Sequence, residues 1–281
     1  LLLIGLVLSA AGLLLKQVEW TGPAGRISVS LVQANVDQHV KWRPENRLPI
    51  LQQYVQASST EWGRTLVIWP EAAVTLFRQE AQEAIARLDQ IAADAGSTLI
   101  LGIPDRSEAG GFLNTVLALG QGEGQYIKRR LVPFGEYVPM ENVLRGVIRM
   151  LDLPMSRNHV GPAEQPPIKA GDLNISTSIC YEVIYPELVR NATEAPDLLV
   201  TVSNDTWFGA SIGPWQHLQM ARMRALENGR PMARATNNGV TALIDHRGTL
   251  LASLPQFEPG VLRGELELQA GTTPFHRLGN L

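Results

Sequence analysis

An α/β layered domain built on a mixed sheet is the fold class this sequence predicts, on three observations. Short, continuous apolar runs, TLVIW at 65–69 and LLVTV at 198–202, have the make-up of strands buried on both faces. Stretches of helical spacing separate such runs. The plainest is 79–95, where Ala84, Ile85, Leu88, Ile91 and Ala92 share one stripe. Finally, a Gly-rich turn, GQGEG at 120–124, joins two β-type segments into a hairpin. Strands alternating with helices, with hairpins among them, are the pattern of a layered α/β domain.

The elements follow in order. Residues 1–15 read LLLIGLVLSAAGLLL, uncharged, before Lys16, and no Met opens the chain. Fifteen apolar residues fall short of the roughly 20 that span a bilayer. Segment 1–16 is expected to be the truncated end of a transmembrane helix; the end of a signal peptide and a buried core helix are the alternatives. Residues 17–25 read as a linker. The β-branched, alternating RISVSLVQ at 26–33 predicts a strand. A helix over 45–60 follows, then the strand at 65–69. The helix over 79–95 is closed by Gly96. Another strand spans 99–103, and the hairpin strands span 112–119 and 125–129. A short helix is expected over 142–150 and a Pro- and Gly-rich loop over 153–171. Strands at 174–179 and 198–202 alternate with helices over 184–192 and 215–228. Short strands at 232–235, 240–245, 250–253 and 261–267 end the series. No internal repeat appears, so 26–268 reads as one soluble domain, with 269–281 a segment beyond it.

Composition narrows the function. The 281 residues are 45% apolar and 18% charged, the make-up of a folded, rather apolar chain. Lys and Arg total 24 against 27 Asp and Glu, for a net charge of −3, and no dense basic run occurs. That argues against nucleic acid as a partner. A single Cys allows neither an internal disulfide nor a Cys-based metal cluster. The five His are scattered without HxxxH or HxH spacing, so no metal or cofactor is expected.

In open α/β sheets ligands gather at the carboxyl ends of the strands. There, TLVIW runs into Pro70 and Glu71, QYIK carries Lys128, NISTSI runs into Cys180, Tyr181 and Glu182, and LLVTV runs into Ser203, Asn204 and Asp205. Four strands thus offer a carboxylate, an ammonium, a thiol and an amide to one rim. Cys180 sits at a strand-to-helix turn, where free N–H groups favour a thiolate and lower the thiol pKa. The same groups can hold an oxyanion. Read alone, Cys180 also fits a small core hydrophobe, Glu71 a solvated loop residue and Lys128 part of a solvated basic face. A Cys–His pair assembled in space stays open. Glu136 lies in PFGEYVP, a stiff loop of the kind that positions a side chain.

Four segments in this order, IWPE at 68–71, IKRRLVPFGEYVP at 127–139, SICYEVIYPEL at 178–188 and SNDTWFG at 203–209, resemble the nitrilase superfamily. Within it, they are similar to the periplasmic catalytic domain of the apolipoprotein N-acyltransferase family. The resemblance runs from about residue 26 to the C-terminus. It implies a four-layer αββα sandwich and a triad of Glu71 as base, Lys128 as oxyanion stabiliser and Cys180 as nucleophile. It further implies supporting roles for Glu136, Tyr181 and Glu182, and substrate contacts for Trp42 and Trp207. It also implies a place in the bacterial inner membrane, with the catalytic domain on the periplasmic side and 269–281 leading to a further transmembrane helix. The reaction implied moves an acyl chain from a phospholipid, through a Cys180 thioester, to the amine of a diacylglyceryl-cysteine lipoprotein. A soluble nitrilase-type amidase and a catalytically silent domain on a membrane stalk are the rivals.

Overall fold

The computed structural model describes residues 2–15, 17–108, 110–137, 158–192 and 196–280. The helix expected over 142–150 lies outside them, as does the start of the loop expected over 153–171. Thirteen strands, among the described residues, form two sheets. The first contains β1 (Thr21–Gln33), β2 (Leu66–Ile68), β3 (Thr98–Arg106), β4 (Phe112–Gly120), β6 (Gln125–Ile127) and β13 (Gly260–Gly271), in the order β13-β1-β2-β3-β4-β6. The second contains β5 (Gly122–Glu123), β7 (Ile168–Ala170), β8 (Leu173–Ile179), β9 (Leu198–Ser203), β10 (Met232–Thr236), β11 (Ala242–Ile244) and β12 (Leu250–Ser253), in the order β12-β11-β10-β9-β8-β7-β5. The helices are α1 (Leu2–Leu15), α2 (Gln38–Lys41), α3 (Arg47–Ser58), α4 (Gln82–Asp94), α5 (Pro186–Asn191), α6 (Gly213–Asn228) and α7 (Pro274–Leu278).

Side-chain alternation sorts the strands' residues into layers. Leu66 and Ile68 of β2 join Leu198, Val200 and Val202 of β9 in a core between the sheets. Val67, pointing the other way, packs with Tyr54 of α3 and with Leu88 and Ala92 of α4. On the far side, Leu199 packs with Leu218, Ala221 and Ala225 of α6. These three cores make an αββα sandwich and explain the near-continuous apolar runs: strands covered on both faces carry apolar residues on both.

The helix ends follow local rules. Gly96, at φ 69°, and Gly229, at φ 61°, close α4 and α6 in the left-handed conformation that favours glycine. Pro214 sits in the first turn of α6, where its missing N–H costs nothing.

Several boundaries differ from expectation, and those of β1 and of the GQGEG segment bear on the sheets. β1 starts at Thr21, inside the stretch read as linker, because Thr21–Gly25 pair with the end of β13 and a register shift between Pro23 and Gly25 absorbs the missing donor. The GQGEG turn is more than a turn: its Gly122 and Glu123 pair with β7 and so form the edge of the second sheet. The pairing Gly122↔Ala170 also draws part of the expected 153–171 loop into a strand. In α1 the side chains of Leu3, Leu6 and Leu13 are exposed. Among the described residues no helix is long and apolar enough to cross a membrane.

Candidate active site

β1, β2 and β3 run parallel, and β6 has the same direction because it is antiparallel to β4, itself antiparallel to β3. β8, β9 and β10 are parallel in the second sheet. The residues that leave β2, β6, β8 and β9 converge on one edge of the sandwich, as the strand-end reading requires.

Glu71 follows β2 on a loop pressed against β3. A Cβ at Gly102 would lie 2.5 Å from the Ala72 nitrogen and 2.6 Å from the Pro70 oxygen, so β3 must be bare there. The carboxylate is buried and accepts three hydrogen bonds: from Asn114 Nδ2 at 2.7 Å, from Lys128 Nζ at 3.3 Å and from the Asn204 backbone N–H at 2.7 Å. Lys128, directly after β6, is 1% exposed. It also donates to Glu136 Oε1 at 2.7 Å, and Glu136 Oε2 accepts from the Val132 N–H at 2.8 Å. Burial works against the Lys128 ammonium, but the charge of Glu71, that of Cys180 where it is a thiolate, and Glu136 outweigh it and hold its pKa above the ordinary lysine range.

Cys180 directly follows β8, at φ 52°, and opens a 3-10 turn, Cys180–Ile184. The left-handed region costs a residue with a Cβ on the order of 1–3 kcal/mol and persists only where neighbours dictate it. The thiol lies where the charges of both Glu71 and Lys128 act on it. Its pKa moves opposite to the expectation for a turn N-terminus: burial, then Glu71, push it up to about 12, and Lys128 opposes them only in part. Desolvation of the thiolate outweighs the turn's N–H groups, so the resting group at neutral pH is the thiol.

Glu182 shows what the CYE segment does. Fully buried, it accepts from the backbone N–H of Arg129 at 2.6 Å and of Arg130 at 3.0 Å, from Tyr126 Oη at 3.0 Å and, through its other oxygen, from the Ile179 N–H at 2.8 Å. It therefore staples the strand end that carries Lys128 to the strand end that carries Cys180. Burial pushes its carboxyl up despite these donors.

One cavity of about 560 Å³ borders Glu71, Lys128, Glu136 and Cys180. Its other walls are largely apolar and include Trp42, Phe77, Phe112, Tyr181 and Trp207. Tyr181 stacks edge-on against Tyr185, with ring centres 5.3 Å apart. The Trp42 indole N–H is buried without a partner. Trp207 is 68% exposed. All eight residues singled out in the sequence thus meet: seven line or border this cavity, and Glu182 braces it from behind.

Three contributors escaped the sequence reading. Asn114 interrupts the apolar strand FLNTVLALG, a lone amide that could have been noticed. Lys41, fully buried, donates to the Glu71 carbonyl at 3.3 Å. Burial lowers its pKa to about 8 and Glu71 offsets part of that, the opposite outcome to Lys128, which has two carboxylates against it. His217 does lie beside Cys180, but its Nε2 faces the Cys180 carbonyl oxygen at 3.0 Å. It is Glu71, not an imidazole, whose carboxylate is held by Lys128 in the cavity.

A paired-sheet sandwich carrying a carboxylate, an ammonium and a thiol on its strand ends defines a class. The carbon-nitrogen hydrolase family model matches residues 28–273, and the chain belongs to that family. Among curated relatives, the apolipoprotein N-acyltransferase of Pseudomonas syringae pv. tomato is 47% identical over 270 residues, covering 94% of this chain and 53% of that protein. The apolipoprotein N-acyltransferase of Vibrio vulnificus is 44% identical over 292 residues, covering 100% of this chain and 58% of that protein. The chain therefore spans little more than half the length of these relatives. Among solved structures, a carbon-nitrogen hydrolase from Helicobacter pylori superposes with a TM-score of 0.64 at 13% identity, over 86% of this chain and 89% of that one. A CN-hydrolase superfamily protein from Xanthomonas campestris gives 0.61 at 22% identity, over 86% and 91%. At such identities the likeness shows the fold.

Proposed function

We propose that this chain is the catalytic part of an inner-membrane N-acyltransferase, facing the periplasm. In this reading it moves an acyl chain from a phospholipid, through a Cys180 thioester, to the amine of a diacylglyceryl-cysteine lipoprotein. The observation that carries it is the joining of Glu71, Lys128 and Cys180 to a largely apolar cavity, in a chain 47% identical to a protein named for this activity. Exposed Trp207 and Phe208 on the wall of that cavity suit a lipid substrate. Segment 1–16 is then the end of a transmembrane helix and 269–281 leads toward another.

The chemistry follows from the geometry. Glu71 takes the Cys180 proton as Sγ attacks the ester carbonyl, since a thiol with a pKa pushed up to about 12 needs a base. Lys128 and backbone N–H groups of the turn hold the oxyanion. The C–O bond breaks, Glu71 returns the proton to the leaving alkoxide, and lysophospholipid departs from the thioester. In the second half, the lipoprotein amine attacks the thioester carbonyl and Glu71 accepts its proton. The C–S bond breaks, and Cys180 Sγ takes that proton back. Splitting the transfer lowers each barrier. Glu136 holds Lys128, while Trp42 and Tyr181 shape the acyl cavity.

Incubation with phosphatidylethanolamine is expected to raise the intact mass by one acyl chain, removable with neutral hydroxylamine. The Cys180→Ser variant should gain no hydroxylamine-labile adduct; if it does, the nucleophile assignment fails.

A further inference from the structure

Among the buried groups this chemistry leaves unused, one connected set lies directly behind the nucleophile. Arg234 of β10 donates from Nη2 to Asp205 Oδ2 at 2.6 Å. Asp205 Oδ1 lies 3.0 Å from His217 Nδ1 and accepts from Ser203 Oγ at 2.6 Å. His217 Nε2 lies 3.0 Å from the Cys180 carbonyl oxygen. A carbonyl can only accept, so Nε2 carries the hydrogen. The whole set is buried, with Arg234 at 0% and His217 at 5% exposure. Burial opposes ionisation of Asp205, yet Arg234 and His217 outweigh it and hold the carboxyl well below the usual range. The fold makes room for this carboxylate: a Cβ at Gly239 would lie 2.2 Å from Asp205 Oδ2.

A buried ion pair so far from solvent is weak evidence for stability. Its chain of contacts ends on one atom, the carbonyl of the residue whose backbone is left-handed. We infer that Arg234, Asp205 and His217 form a positioning relay that clamps the Cys180 carbonyl and so fixes the backbone that presents Sγ to Glu71 and Lys128. The inference rests on Cys180 being the nucleophile. His217 is then a positioning residue rather than a catalytic one, because its ring faces the main chain.

The test compares two amides at position 217 in this chain. Gln places its side-chain nitrogen near the site of Nε2 and keeps the bond to the Cys180 carbonyl. Asn reaches only the site of Nδ1 and keeps the bond to Asp205. The first readout is the rate of Cys180 alkylation by iodoacetamide, which needs no lipid and so stands even if the acyl-transfer reading fails. The second is thioester formation from phosphatidylethanolamine. His217→Asn is expected to slow both by about 10²-fold, with KM for the lipid within about threefold, whereas His217→Gln stays within about tenfold of the parent. Equal rates for the two variants, or an unimpaired His217→Asn, would overturn the relay. Gly239→Ala, which displaces the Asp205 carboxylate without touching position 217, supplies an independent arm. It should slow alkylation by about tenfold, and an unchanged rate would also overturn the inference.

Discussion

Replacement of Glu71 by Gln should slow thioester formation by about 10²–10⁴-fold at neutral pH, the usual worth of a positioned general base. The loss has two sources. Without its base the thiol keeps its proton at neutral pH, because burial, the largest effect on it, still pushes its pKa up, and the leaving alkoxide loses its proton donor. The pH dependence gives the sign. In the Gln variant the thiol loses the upward push of Glu71 but keeps the larger effect of burial. Its thiolate fraction therefore grows about tenfold with each pH unit through the neutral and mildly alkaline range. The residual rate should climb with it, measured by intact mass at short times between pH 7 and 9. A residual rate flat with pH, or no loss, contradicts the base assignment. Stability should fall as well, by about 1–3 kcal/mol. Asn114, Lys128 and the Asn204 N–H all donate to Glu71, and an amide offers them only one oxygen.

Glu182→Leu should be the most damaging change to the fold. It strands four donors: the N–H groups of Ile179, Arg129 and Arg130 and the Tyr126 hydroxyl. A buried donor without a partner costs about 1–3 kcal/mol, so four of them should cost on the order of 4–12 kcal/mol, comparable to the whole 5–15 kcal/mol typical of a domain. Urea unfolding reads it directly. Glu182→Gln retains one acceptor and should fall between. If Glu182→Leu unfolds within about 1 kcal/mol of the parent, the staple between the two strand ends is not what the carboxylate provides.

The parts of the fold that were legible in the sequence are those governed by local pattern. β2 is apolar throughout, and β9 is apolar but for Thr201 and Ser203, because both faces are covered. The stripe of α4 and its closing Gly96 follow helical spacing. The GQGEG segment does join the β4–β6 hairpin, but its second role, pairing with β7, is not legible in it because that depends on a partner more than forty residues away, Lys169 and Ala170. The candidate site was legible in its residue types at strand ends, but not in its electrostatics. The turn at Cys180 pointed to a lowered thiol pKa; only packing reveals the desolvation that raises it. Nor could spacing show that Glu182 faces inward to bind the strand of Lys128, or that His217 addresses the carbonyl of Cys180 and not its sulfur.

The central claim is that Cys180 carries an acyl group between a lipid donor and an amine. Its most direct test is a chase on acyl-enzyme freed of excess phospholipid, with a diacylglyceryl-cysteine peptide added and the masses of protein and peptide followed together. The account predicts that the acyl mass leaves the protein only slowly in buffer, and that the peptide accelerates its loss with an equal gain at the peptide's α-amine. Rapid loss as free fatty acid, unchanged by the peptide, would contradict it and mark the chain as a hydrolase.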